Sequence, residues 1–140
     1  MNTIAIYTDG AARGNPGQSA SGYSIYMDGK QITEGEKYNG KATNNFAEYN
    51  AVILALEWCI KNIKEHGKCA AALHSDSELV VRQLNGLYRV KSERMRRLNY
   101  EVRSMAALFK SIKFRNLPRS DRRIAAVDAR LNRLLDRMGH

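Results

Sequence analysis

Thr3-Ile4-Ala5-Ile6-Tyr7-Thr8-Asp9-Gly10 alternates isoleucines with small or polar residues and then closes on an acid beside glycine. Alternation of period two marks a strand with one buried face, so a strand over residues 3–8 would carry Asp9 to its end. Asn15-Pro16-Gly17 predicts a turn, with proline presetting φ at one central position and Gly17 accepting positive φ at the next. A second strand is expected from about residue 22 to 27. Asp28-Gly29 is a hairpin signal, and residues 31–38 resume the alternation. The first 40 residues therefore read as a three-stranded antiparallel meander.

Beyond it the period becomes helical. From Asn45 to about Glu65, Val52, Ile53, Leu56, Ile60 and Ile63 recur at helical spacing, with Leu54, Ala55, Trp58 and Cys59 between them. A helix apolar on nearly every side is a central one; Gly67 is expected to end it. Residues 69–73 form a continuous apolar run suited to a buried strand, and a helix over residues 77–84 is stopped by Asn85-Gly86. An amphipathic helix follows over about residues 92–110, with Met95, Leu98, Val102, Met105 and Leu108 inward. A last strand at residues 112–117 is broken by Pro118. Ile124, Val127, Leu131, Leu134 and Met138 then mark a final helix. The predicted order is β-β-β-α-β-α-α-β-α, an α/β fold.

A chain of 140 residues is about one domain and buries roughly 70% of its unfolded surface, enough for a core without disulfides. There is no run of 18 apolar residues and no secretory leader pattern at the N-terminus. These features predict a cytoplasmic protein without a membrane association. Cys59 and Cys69 fall in apolar runs and are expected as buried free thiols. The net charge of +9 is divided unevenly. Residues 1–81 hold seven Lys or Arg against nine Asp or Glu, whereas residues 82–123 hold thirteen against three. A block of that size points to a polyanionic partner rather than to a solvated helix face.

Four acids stand apart from the other ten. Asp9, Glu48 and Asp76 each sit among small or polar residues, in Tyr7-Thr8-Asp9-Gly10, Thr43-Asn44-Asn45-Phe46-Ala47-Glu48 and His74-Ser75-Asp76-Ser77. Asp128 lies inside Ala126-Val127-Asp128-Ala129. Taken singly, Asp9 is explained by a turn, Glu48 by a favourable charge near a helix N-terminus, and Asp76 by a helix cap. Asp128 falls on the helix side that faces the core, where an unpaired charge is costly. Together they form the kind of oxygen cage a divalent metal requires, with ligands converging from separate elements. Two strand ends and the starts of two helices provide that convergence if the first and fourth strands are parallel neighbours. Asp121, between Pro118 and the last helix, is the rival for the fourth position, although a helix N-cap suits it better.

The stretches Tyr7-Thr8-Asp9-Gly10-Ala11-Ala12-Arg13-Gly14-Asn15-Pro16-Gly17, Thr43-Asn44-Asn45-Phe46-Ala47-Glu48-Tyr49-Asn50-Ala51 and Ser75-Asp76-Ser77-Glu78-Leu79-Val80-Val81-Arg82-Gln83-Leu84-Asn85-Gly86 resemble the type 1 ribonuclease H family, in order and over nearly the whole chain. The resemblance implies a ribonuclease H-like fold over residues 1–140, with a mixed five-stranded sheet of three antiparallel strands then two parallel ones, flanked by helices. It implies endonucleolytic cleavage of the RNA strand of RNA/DNA hybrids, leaving 5′-phosphate and 3′-hydroxyl ends. Asp9, Glu48, Asp76 and Asp128 match the family's metal-binding acids, holding two Mg²⁺ ions with Mn²⁺ as a substitute. Gly10, Ala11, Ala12, Asn15, Thr43, Asn44 and Asn45 match positions that contact the hybrid, where small amides and hydroxyls suit 2′-hydroxyls and phosphates. The segment Tyr88-Arg89-Val90-Lys91 looks like the compact form without a basic protrusion, so Arg89 and Lys91 are candidate contacts to the DNA strand. The loop before the last helix lacks the histidine many relatives carry, which makes Arg119 the candidate for an auxiliary phosphate contact. The chain is expected to act as a monomer with no protein partner. A catalytically silent hybrid-binding module and another nuclease of the same fold remain the alternatives.

If the basic block touches about four phosphates, log affinity for a hybrid should fall with log salt at a slope near −3 to −4. Binding isotherms across a salt series measure it, and a flat response would remove the block from the interface.

Overall fold

The computed structural model describes residues 2–140. The chain forms β1 (Thr3–Gly14), β2 (Gly17–Met27), β3 (Lys30–Ala42), α1 (Asn44–Asn62), β4 (Ala70–Ser75), α2 (Glu78–Leu84), α3 (Glu93–Ala106), β5 (Ser111–Asn116) and α4 (Arg122–Arg137), with a short 3₁₀ turn at His66–Lys68. One sheet has the order β3-β2-β1-β4-β5. β2 lies antiparallel to β1 and β3, whereas β4 is parallel to β1 and β5 to β4. This is the mixed five-stranded sheet and the element order expected from the sequence.

The core lies on both faces of that sheet. On one, Ile4, Ile6, Ile25 and Leu73 pack with Val52, Leu56 and Cys59 of α1 and Val102 of α3. On the other, Val127, Leu131 and Leu135 of α4 pack on Ala20. α1 is covered over most of its circumference, as its apolar composition requires. Cys59 and Cys69 are free and buried, and burial pushes the Cys59 thiol up to about 12. Among the described residues no helix is long and apolar enough to cross a membrane.

Several boundaries differ from the sequence expectation for identifiable reasons. β1 does not stop at Thr8 but continues to Gly14, because Asp9 to Gly14 stay laddered to β2 as far as the Gly14–Gly17 pair. β4 ends at Ser75, opposite Thr8, so Asp9 lies where β1 runs on past its parallel neighbour. At the turn, Gly14 rather than Gly17 carries the positive φ, at 101°, and the Asn15–Pro16 bond is cis. Gly17 is held extended by the same ladder. α1 ends at Asn62, with Ile63 as its cap, and Gly67 belongs to the 3₁₀ turn. α1 begins at Asn44, so Glu48 sits one turn into the helix. Leu108 is 51% and Met138 46% exposed, because α3 ends at Ala106 and α4 at Arg137. Asn99 and Leu135 take the inward places instead, and Asn99 Nδ2 donates to Tyr49 Oη at 3.1 Å.

Local capping decides what the acids are free to do. Thr43 Oγ1 accepts from Phe46 N at the start of α1, and Ser77 Oγ from Val80 N at the start of α2. Ser77, not Asp76, caps α2. At α4 the cap is Asp121, whose Oδ1 accepts from Arg123 N at 3.0 Å and Ile124 N at 3.2 Å. Loss of such a cap costs about 1 kcal/mol. We therefore expect Asp121→Ala to lower the unfolding free energy by about that amount in urea titrations. An unchanged midpoint would show that the cap does not hold α4.

Candidate active site

The parallel register pairs Thr8 with Ser75, so the next residues, Asp9 and Asp76, emerge side by side. Glu48 reaches them from α1. A close approach of β1 and α1 makes this possible: a Cβ on Gly10 would lie 2.5 Å from the Ala47 carbonyl carbon and from Glu48 N, so only glycine fits. The Gly10 N–H donates to Glu48 Oε1 and fixes that carboxylate. Carboxylate oxygens of Asp9, Glu48 and Asp76 all lie within 4.8 Å of one another. Asp128, from the second turn of α4, lines the same cleft and comes within hydrogen-bonding reach of Asp9. Asp121 is occupied as the α4 cap.

The site is buried and acidic without compensation. Asp9 is 4% and Glu48 9% exposed. Burial first, then the Asp76 and Asp128 charges, raise the Asp9 carboxyl to about 9. Glu48 is likewise held well above the usual carboxylate range by burial and by Asp9 and Asp76, against the lowering effect of the Gly10 N–H. Among the described residues no lysine or arginine forms an ion pair with any of the four acids. An all-oxygen donor set whose charges repel one another suits a hard divalent cation such as Mg²⁺ or Mn²⁺.

No histidine serves the cleft. The His74 ring stacks on Tyr7 at a centroid distance of 4.5 Å, its Nδ1 lies 3.0 Å from the Ile6 carbonyl, and burial lowers its basicity. His66 abuts Phe109, and His140 stacks on Tyr38.

The candidate nucleic-acid contacts divide into three adjoining grooves that share Asn45. Gly10, Ala11, Ala12, Asn44, Asn45 and Arg119 line the acid cleft, which has a volume of about 390 Å³. Asn15, Thr43 and Asn45 line a second groove with Arg94. Arg89 and Lys91 line a third, with Asn45, Leu87 and Tyr88. Asn15 is partly committed to the fold, since its Oδ1 accepts from Asn44 N at 3.1 Å. Arg13, Ser77 and Asn132 also line the acid cleft, and Arg94 lies 4.8 Å over the Phe46 ring. None was singled out from the sequence. Only the spacing of Asn132, one helical turn after Asp128, offered a signal.

The raised carboxyls set the direction in which stability changes with pH. A carboxyl at about 9 when folded and near 3.8 when unfolded keeps its proton in the fold after the unfolded chain has lost it. Metal-free stability should therefore fall as pH rises from about 4 to about 9. We expect Asp9→Asn to raise the metal-free melting temperature at pH 8 and to flatten this slope, measured in EDTA. A clear drop in melting temperature would mean that the acids do not repel one another.

A family profile described as "Reverse transcriptase-like" matches residues 7–131. The chain is 37% identical over 134 residues to Ribonuclease HI of Halobacterium salinarum, covering 95% of this chain and 64% of that protein. It is 33% identical over 119 residues to a bifunctional protein of Mycobacterium tuberculosis, covering 84% of this chain and 32% of that one. The chain thus spans less than two thirds of the length of these relatives. Among solved structures, LC11-RNase H1 isolated from compost by a metagenomic approach superposes with a TM-score of 0.91 at 34% identity, each chain covered in full. The same protein solved in complex with an RNA/DNA hybrid gives 0.90 at 33% identity, covering 98% of this chain and 99% of that one. With the profile matched across most of its length and the fold shared end to end, the chain belongs to the type 1 ribonuclease H family.

Proposed function

We propose that the chain is an endoribonuclease that hydrolyses the RNA strand of RNA/DNA hybrids, leaving 5′-phosphate and 3′-hydroxyl ends. The observation that carries this reading is the set of three carboxylates within 4.8 Å of one another, two of them buried, with no ion pair to a lysine or arginine among the described residues. The hybrid bound to LC11-RNase H1 supports the choice of substrate. Asp9, Glu48 and Asp76 would hold a divalent cation, Mg²⁺ or Mn²⁺, and Asp128 beside Asp9 would complete a site for a second. Such ions supply Lewis acidity, a more acidic water and neutralisation of phosphate charge for in-line displacement.

The chain's own residues supply orientation. Gly10, Ala11 and Ala12 present a low wall along the cleft, so an RNA backbone can lie close to the acids. Asn15, Thr43, Asn44 and Asn45 offer amide and hydroxyl groups of the type that reads 2′-hydroxyls. Arg89 and Lys91, in the groove beyond Asn45, suit the phosphates of the DNA strand, and Arg119 suits a phosphate at the acids themselves. A module that merely bound hybrids would gain nothing from four uncompensated carboxylates in a phosphate-facing cleft, since they repel the ligand.

A gel assay comparing an RNA/DNA hybrid, single-stranded RNA and duplex DNA tests the reading. We expect cleavage of the hybrid alone, dependent on Mg²⁺ and abolished by EDTA. Asp9→Asn should lower kcat/KM by about 10³-fold or more, a loss of about 4 kcal/mol. Hybrid affinity should change little. Substantial residual turnover would remove Asp9 from the metal site, and cleavage of all three substrates would refute hybrid specificity.

A further inference from the structure

One polar side chain links the fourth acid to the far end of the sheet. Asn132, one helical turn beyond Asp128 on α4, donates from Nδ2 to Asp128 Oδ2 at 3.3 Å and to the Asp128 carbonyl at 3.1 Å. Its Oδ1 accepts from Arg13 Nη2 at 3.2 Å, and the same guanidinium nitrogen lies 3.3 Å from the Asn132 carbonyl. Arg13 is held in turn by Asp136, Nη1 to Oδ1 at 2.8 Å, and by the His140 carbonyl. Arg13, Asn132 and Asp128 all line the acid cleft.

The chemistry of the three groups makes this order meaningful. A guanidinium only donates and an ionised carboxylate only accepts, whereas a primary amide does both. The partners therefore fix the amide's orientation, with Oδ1 toward Arg13 and Nδ2 toward Asp128. A guanidinium placed directly on Asp128 would neutralise the charge that a cation needs. Through the amide, Arg13 restrains the carboxylate without pairing with it, and Asn132 engages only one carboxylate oxygen. Asp128 has particular need of such restraint, because α4 packs through its own cluster of Val127, Leu131 and Leu135 on Ala20, separate from the main core.

We propose that Asn132 and Arg13 are positioning residues for Asp128, a relay from β1 to α4 that preorganises the fourth carboxylate for a divalent cation. This rests on Asp128 being a metal ligand. Outer groups that orient metal ligands are commonly worth 10- to 100-fold in affinity. Titration calorimetry of the whole chain with Mn²⁺ reads the effect without catalysis. Asn132→Leu and Arg13→Gln should each weaken Mn²⁺ binding about tenfold, at the lower end of that range. The double variant should be no weaker than Asn132→Leu alone to within about twofold, because groups acting in series are not additive. Leu135→Ala, which loosens α4 without touching Asp128, should bind Mn²⁺ like the parent chain. Wild-type affinity in Asn132→Leu, with Asp128→Asn weakened, would overturn the relay alone. Wild-type affinity in Asp128→Asn would overturn the ligand role of Asp128. Equal weakening in Leu135→Ala would reduce the effect to general loosening of α4 and overturn the relay.

Discussion

The parallel pairing of β1 with β4 in the register that sets Thr8 against Ser75 is the constraint on which the site depends. A shift of one residue would turn Asp9 away from Asp76, since successive side chains on a strand point to opposite faces. Burial holds the register: Ile4, Ile6 and Leu73 are almost wholly buried beneath α1, and slippage would expose them. Gly10 adds the second constraint, because only a residue without Cβ lets α1 approach closely enough for Glu48 to join the pair. The hydrophobic core thus forces three carboxylates together against their mutual repulsion, and burial with that repulsion holds the Asp9 and Glu48 carboxyls well above the usual carboxylate range.

The basic half of the chain has a more mixed purpose than its charge suggests. Arg96 donates to the carbonyls of Val90 and Lys91, both at 2.9 Å, and so shapes the segment that presents Arg89 and Lys91. Arg103 reaches Asn99 and the Gln83 carbonyl, tying α3 to α2. Arg123 lies 4.1 Å over Tyr26 and bonds Tyr7 Oη, locking the start of α4 to the sheet. Outside the block, Arg130 is pinned to Glu34, Glu36 and the Tyr23 carbonyl. These arginines organise the framework, whereas Arg89, Lys91, Arg94 and Arg119 line the grooves around Asn45.

Much of this was legible along the chain because it is written in period. The alternation of Ile4 and Ile6 announced β1 and the position of Asp9, and the spacing of Ile124, Val127 and Leu131 announced the face of α4. The second half of β1 was not legible, since Gly10, Ala11, Ala12 and Arg13 carry no apolar alternation and are held by the ladder to β2. The burial of Asn99 depends on Tyr49 and Gln83, brought from two other helices, which no local pattern encodes. The N-cap role expected of Asp121 is what the structure shows, with two backbone N–H groups on its Oδ1, while Asp128 lines the cleft. Nothing local marks Arg13, whose partners lie more than a hundred residues away.

Register, core and Gly10 together bring Asp9, Glu48 and Asp76 into one cluster that could hold a cation. Anomalous diffraction from crystals soaked in Mn²⁺ measures this directly. We expect a strong manganese peak within coordination distance of all three carboxylates, displaced by EDTA. A peak elsewhere on the surface, with none among the three acids at saturating Mn²⁺, would contradict it.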